Sequence, residues 1–161
     1  FWLKWFRNLT FCQALPPAVF CKMATLSGRV IRCSGLPHKD LFGSDDPYVV
    51  VKMRGSGGDE KGEARTSVKK GADVEWGGEE AVFNFGDAEL DGALELKVWD
   101  KDLGPDDLLG EAVLPICAIP FQETELTLSL GLNRKLTSLG KKTPNGTITI
   151  RVQVSNHHNW L

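Results

Sequence analysis

The 161-residue sequence predicts an all-β fold, an eight-stranded antiparallel β-sandwich, on three observations. Apolar residues recur with a period of two, which places them on one side of a strand and leaves the other side wet. Turn-forming clusters separate those runs: Gly55-Ser56-Gly57-Gly58, Gly77-Gly78, Asp91-Gly92 and Pro144-Asn145-Gly146. No helical pattern of useful length appears after Met23. Eight short strands at this spacing in about 130 residues match two packed antiparallel sheets, whose loops gather at the two ends.

The elements follow in order. Strand 28–34 runs into an acidic loop. Strand 47–54 begins with Pro47, which has no N–H to donate and suits a first strand position. Strand 63–69 follows the Gly55–Gly58 turn. After Gly77-Gly78, Ala81, Phe83 and Phe85 share one face; after Asp91-Gly92, Leu94, Leu96 and Val98 do the same. Strand 109–116 follows a second acidic loop. Leu126, Leu128, Leu130 and Leu132 alternate with Thr127, Ser129 and Gly131. Ile148, Ile150, Val152 and Val154 alternate with Thr147, Thr149, Arg151 and Gln153.

Composition sets the outer bounds. The chain is 42% hydrophobic and 25% charged, ordinary for one globular domain. A net charge of −2 points away from a nucleic-acid partner. No apolar run approaches the ~18 residues of a membrane-spanning helix. Cys12, Cys21, Cys33 and Cys117 show neither a CxxC pair nor zinc-like spacing. Cys33 and Cys117 fall in predicted strands, where a buried thiol is expected, and the setting reads as reducing and cytoplasmic. Two glycosylation triplets, Asn8-Leu9-Thr10 and Asn145-Gly146-Thr147, matter only in a secreted chain.

Residues 1–22 are a different material. They hold six of the chain's 14 aromatics and no acid; their charges are Lys4, Arg7 and Lys22. Met23-Ala24-Thr25 resembles an ordinary start. The extension reads as a translation artefact or as an interfacial anchor, since Trp2, Trp5, Phe6 and Leu9 fall on one helical face. A targeting peptide fits less well, because no uninterrupted apolar core follows the basic residues and Pro16-Pro17 breaks the segment. The expected organisation is an extension over 1–22, one domain over 23–155 and a tail over 156–161.

Charge is distributed unevenly in that domain. Setting aside the three cations of residues 1–22 leaves 16 Lys and Arg against 21 Asp and Glu. Seven of those acids are aspartates in two loops: Asp40, Asp45 and Asp46, then Asp100, Asp102, Asp106 and Asp107. The remainder is mildly basic. Clustered carboxylates repel one another, and a hard divalent cation such as calcium takes ~6–8 oxygen ligands of this kind. A solvated acidic loop is the plain alternative. An EF-hand register counted from Asp100 fails, because Pro105 stands where a sharp turn needs glycine and the flanks are strands.

Four segments together resemble the C2 domain: SGLPHKDLFGSDDPYVVVKM, ARTSVKKGADVEWGGEEAVFNF, LELKVWDKDLGPDDLLGEAVLPI and the closing GTITIRVQV. The resemblance covers about residues 25–155. The strand order is similar to the phospholipase-type arrangement, and the small free-standing form resembles the single-C2 proteins of plants, including phloem and elicitor-responsive types. The resemblance implies calcium held between loops at one end of the sandwich. Asp40 and Asp46 match the first-loop ligands, Asp100 and Asp102 the third-loop pair, and Asp107 the last third-loop ligand. The third loop is one residue shorter than in many relatives, so Asp106 and Asp107 can exchange roles.

The same resemblance implies a calcium-dependent phospholipid-binding module acting as an electrostatic switch in signalling or trafficking. Leu41 and Phe42 on the first loop and Leu103 on the third are then the membrane contacts; burying Phe42 would contribute ~1.5–3 kcal/mol. The expected partner is an anionic phospholipid membrane, reached from the cytoplasm when calcium binds, by a monomer. The alternative is a calcium-independent adaptor for a protein partner or a phosphoinositide. Lys52 and Arg54, with Arg65, Lys69 and Lys70, form the candidate basic face for it, though solvated edge lysines are the commoner explanation for such residues. No enzyme is expected: His38 sits beside the first acidic loop, His157-His158 lie in the tail, and neither a phosphate-binding glycine loop nor a nucleophile–base pair is present.

Overall fold

The computed structural model describes residues 24–37, 45–131 and 146–156. The extension over 1–22, the tail from His157, Cys12, Cys21, His38, Asp40, Leu41, Phe42 and Leu132 lie outside the described residues. Nine strands follow one another: β1 (Ala24–Ser34), β2 (Pro47–Arg54), β3 (Glu60–Arg65), β4 (Val74–Glu75), β5 (Val82–Ala88), β6 (Ala93–Asp100), β7 (Asp107–Pro115), β8 (Thr124–Ser129) and β9 (Thr147–Asn156). The only helical elements among the described residues are two single 3-10 turns, Glu79–Ala81 and Ile116–Ala118.

Two antiparallel sheets form the expected sandwich. One runs β4-β1-β9-β8, with β5 also on β1; the other runs β3-β2-β6-β7. β9 pairs with β1 along its whole length, from Ala24 opposite Asn156 to Ser34 opposite Thr147. β5 takes the first half of the other edge of β1 and β4 the second half. The alternating residues meet between the sheets. Leu26 and Val30 of β1 lie beside Ile148, Ile150, Val152 and Val154 of β9 in the same sheet, within one buried cluster that also holds Val49, Val51, Leu94, Leu96 and Val98 of the other sheet. Gly28 sits mid-strand because Phe83, its register partner, lays its ring where a Cβ would stand.

Several details differ from the sequence reading, among them β7, which spans 107–115 instead of 109–116. β1 begins at Ala24, ahead of residue 28. β3 spans 60–65 instead of 63–69, because Thr66 leaves the ladder by way of its side chain: its N–H donates to the Val49 carbonyl at 3.0 Å, while Oγ1 accepts the Val49 N–H at 2.9 Å. With Oγ1 taking the place of the backbone carbonyl, the chain is free to turn away. β4 is a two-residue strand that leads into Trp76, whose indole N–H donates to the Ser67 carbonyl at 2.8 Å. Cys117 lies in the second 3-10 turn and outside the strands, whereas Cys33 is buried in β1. That burial pushes the Cys33 thiol up to about 12.

Candidate functional site

Sheet register carries the two acidic loops to one end. Pro47 of β2 stands opposite Asp100 of β6, and Asp100 stands opposite Asp107 of β7. The backbone closes the seam: the Asp46 N–H donates to Asp100 Oδ1 at 2.6 Å, and the Lys101 N–H donates to the Asp46 carbonyl at 3.0 Å. The end of the first loop and the start of the third are thus adjacent, although 54 residues separate Asp46 from Asp100.

Asp45 and Asp100 are buried, at 0% and 1% exposure. Asp46 is half-buried, and its Oδ1 is shut from solvent without meeting a hydrogen-bond donor among the described residues. Asp102 is half-buried and Asp107 exposed. Directly opposed residues of an antiparallel pair share a face, and like charges placed so destabilise the sheet. Asp100 and Asp107 are opposed in this way. Taking carboxylates out of water is costly unless a countercharge or good donors replace it.

Asp106 has a different role from its neighbour. Its Oδ2 accepts the Tyr48 hydroxyl at 2.6 Å; its Oδ1 accepts the Lys101 ammonium at 3.0 Å and the Asp102 N–H at 3.2 Å. The Tyr48 hydrogen bond, then that of Lys101, holds the Asp106 carboxyl down at about 2. Burial, and then the Asp106 bond, pushes the Tyr48 phenol up to about 12. The Arg65 guanidinium covers the other side, 3.7 Å from the centre of the Tyr48 ring. Arg65, Tyr48, Asp106 and Lys101 therefore form a clasp that folds the third loop back on β2. Tyr48 was not legible as a site residue; its outward position on β2 follows from alternation, but nothing in the sequence places Asp106 against it.

Among the described residues, no three His, Cys, Asp or Glu side chains group closely enough to hold a metal ion. Asp40, expected to complete the set, lies outside them. Leu103 stands fully in solvent at 112% exposure, as expected of a loop tip. Residues 66–73, read as partly strand, prove to be a loop bound to this same end, with the Lys69 N–H on the Pro47 carbonyl and the Gly71 N–H on the Asp45 carbonyl, both at 2.9 Å.

A C2 domain family model matches residues 24–131. The chain belongs to the C2 family. FT-interacting protein 4 of Arabidopsis thaliana is 41% identical over 100 residues, covering 62% of this chain and 12% of that protein. Multiple C2 domain and transmembrane region protein 9 of the same plant is 43% identical over 90 residues, covering 55% of this chain and 8% of that protein. The C2 chain thus spans a small fraction of these curated relatives. Among solved structures, a C2 domain of plant Extended Synaptotagmin 1 superposes with a TM-score of 0.67 at 25% identity, covering 83% of this chain and 95% of that one.

The other candidate surface of this C2 domain is not freely cationic. Lys52 pairs with Glu60 at 2.9 Å and Glu63 at 2.7 Å, Arg54 pairs with Glu95 at 3.1 Å, and Lys97 pairs with Glu95 at 3.3 Å. Arg65 is taken by Tyr48. Each cation of the outer β2–β3 face meets a neighbouring acid or ring, the pattern of a protected sheet edge.

Proposed function

We propose that this C2 domain is a calcium-dependent phospholipid-binding module, a non-enzymatic electrostatic switch that moves from the cytoplasm to an anionic membrane. One observation carries the reading: a buried, donorless Asp46 Oδ1 sits one hydrogen bond from buried Asp100, which itself faces Asp107. The donor set is all carboxylate, which fits a hard cation. Asp40, Asp46, Asp100, Asp102 and Asp107 would hold it. Asp107 is favoured over Asp106, since both Asp106 oxygens already accept donors of the protein. The described residues supply part of the shell, and Asp40 of the first loop is assigned the rest. Calcium, when bound, supplies the positive charge that offsets carboxylate repulsion and offers coordination to lipid phosphate oxygens.

The chain's own residues do the remaining work. Asp100 and Asp102 set the resting field that repels an anionic bilayer. Leu103, with Leu41 and Phe42, provides the apolar contact once that field falls. A relative whose name pairs C2 domains with a transmembrane region supports a membrane setting. The phosphoinositide alternative loses ground because Lys52 and Arg54 of its basic face are engaged in ion pairs.

Co-sedimentation with phosphatidylserine-containing and pure phosphatidylcholine vesicles, across a calcium titration with a chelator control, tests the reading. Binding that needs both calcium and phosphatidylserine, and disappears in Asp100→Asn/Asp102→Asn, supports the switch. Asparagine keeps an acceptor for the Asp46 N–H while removing the charge. Binding at physiological ionic strength that survives this substitution and the chelator means calcium-independent attachment and overturns the switch.

A further inference from the structure

The turn between β2 and β3 lies at the opposite end of β2 from Pro47, away from the aspartates, and the calcium reading does not use it. It runs Gly55-Ser56-Gly57-Gly58-Asp59 and closes on itself: the Gly55 N–H donates to the Asp59 carbonyl at 2.8 Å and the Gly58 N–H to the Gly55 carbonyl at 2.9 Å. Ser56 is exposed there. Its hydroxyl donates to Glu89 Oε2 at 2.7 Å, and its N–H donates to the same oxygen at 2.8 Å. Lys61 lies beside the pair, 2.9 Å from Asp59 Oδ2 and 3.4 Å from Glu89 Oε1. Ser56, Thr127 and Ser129 are the exposed hydroxyl-bearing residues among the described ones. Thr127 and Ser129 belong to β8, held in register against Thr149 and Thr147 of β9. Ser56 sits in a turn instead. Gly55, Gly57 and Gly58 flank it, and a Cβ at Gly58 would meet nothing within 4 Å, so this stretch can open into an extended form at low steric cost. Asp59 and Glu60, both exposed, follow three and four positions after Ser56.

We propose that Ser56 is a phosphorylation site, modified by a serine/threonine kinase whose basic cleft reads carboxylates on the C-terminal side of the acceptor. Ser56 Oγ attacks the γ-phosphorus of Mg-ATP. The new Oγ–P bond replaces the bond to the bridging β,γ-oxygen, ADP leaves, and the hydroxyl proton passes to the base of the kinase. Asp59 and Glu60 supply the recognition. Their present partners are exposed cations: Lys61 for Asp59, and Lys52 at 2.9 Å and Arg54 at 3.6 Å for Glu60. Ion pairs in water are weak and exchange readily for the cations of a kinase cleft. The product changes the contact that the hydroxyl makes. A phosphoserine carries about −1.5 to −2 charges, so it repels Glu89 where the hydroxyl held it. Lys61, already within 3.4 Å of Glu89, moves to the phosphate as the stronger anion. Glu89 then loses the donors that hold its carboxyl down, the Ser56 N–H first among them. Modification thus unpins the β2–β3 turn from the β5–β6 turn and gathers phosphate, Asp59 and Glu89 into a new acidic patch. The inference is independent of the calcium reading.

The test incubates the full native chain with an acid-directed serine/threonine kinase and Mg-ATP, and uses a kinase that selects basic sequences as the control. Tandem mass spectrometry places the phosphate, so the wild type alone decides the position. A phosphoryl group on Ser56, lost in Ser56→Ala and absent with the control kinase, supports the site. Asp59→Asn/Glu60→Gln should lower kcat/KM for the modification by about tenfold or more, from the loss of charge-assisted contacts. In the phosphorylated protein the Glu89 carboxyl, followed by NMR titration, should rise from its lowered value toward the ordinary 4.5. In unmodified Ser56→Ala, which keeps the N–H donor, it should rise only part of the way. Unchanged melting temperatures keep the variants comparable as folded protein. Native chain that takes no phosphate on Ser56 overturns the proposal. Equal rates in wild type and Asp59→Asn/Glu60→Gln overturn the recognition by carboxylates, and a Glu89 carboxyl that does not move on phosphorylation overturns its release.

Discussion

Replacing Thr66 by valine changes one oxygen into a methyl group and keeps the shape of the side chain. Thr66 is 5% exposed and Val49 fully buried. In the native chain Thr66 Oγ1 accepts the Val49 N–H at 2.9 Å and donates to the Ser67 carbonyl at 3.0 Å. The Ser67 carbonyl keeps the Trp76 indole N–H after substitution, so it stays satisfied. The Val49 N–H has no such second partner and is left buried and unpaired, which costs about 1–3 kcal/mol. For a domain of this size the melting temperature should fall by about 3–10 °C. In urea, the midpoint should drop with an unchanged slope, because the surface exposed on unfolding is the same. Thr66→Ser, which keeps the oxygen, should recover most of the loss. Hydrogen exchange should also accelerate at the amides of Lys69 and Gly71, since Thr66 anchors the loop that carries them. A Thr66→Val variant within ~0.5 kcal/mol of wild type would refute the reasoning, by showing that the side-chain extension of the ladder carries no net stability.

Three further outcomes are expected. Tyr48→Phe removes the leading donor to Asp106; the Asp106 carboxyl, followed by NMR titration, should rise from about 2 toward its ordinary 3.8, and the calcium midpoint for vesicle binding should rise by about tenfold, as for the loss of an outer-shell support. Lowering the pH should remove the stability that Asp106 contributes. Its folded carboxyl titrates near 2 against 3.8 free, and the Glu60 and Glu89 carboxyls are lowered too, mainly by Lys52 and by the Ser56 N–H. The unfolded chain therefore binds protons first, and melting temperature should decline from about pH 4 to pH 2, less steeply in Asp106→Asn. Cys33, buried and raised to about 12, should resist iodoacetamide at mildly alkaline pH until urea unfolds the domain; labelling of native protein at the unfolded rate, read by mass spectrometry, would contradict its placement in the core.

The legible parts of this molecule are those where one side chain's character settles its place. Leu94, Leu96 and Val98, or Ile148 through Val154, announce their faces by alternation, and both strands are where that alternation predicts. β3 reads Glu-Lys-Gly-Glu-Ala-Arg and has no apolar face to announce; it is an edge held by pairing with β2 and by surface ion pairs. Its end depends on a hydroxyl that substitutes for a carbonyl, an event invisible to periodicity. β4, two residues long, is shorter than any period. The acidic end was legible as composition, because seven aspartates in two loops leave the rest of the domain basic. The contact of Asp106 with Tyr48 was not, because adjacent residues differ in direction and Tyr48 lies 58 residues away from Asp106. The lysines at 69 and 70 were assigned to a sheet face for the same reason that β3 was extended too far.

The pairing of β1 with β9 also decides how such a domain is mounted. Ala24 and Asn156 lie opposite each other across one strand spacing, about 4.8 Å. β1 runs from there toward the acidic end and β9 runs back from it, so entry and exit lie side by side at the far pole. Whatever polypeptide precedes or follows is therefore attached at a single point behind the working end, as a bead is threaded through one hole. Neighbouring modules can be joined there without occupying the aspartates, and a tether at that pole leaves the loops to swing outward. The same arrangement means that the first strand waits for the last before its sheet can close, so the domain should fold slowly and as a whole.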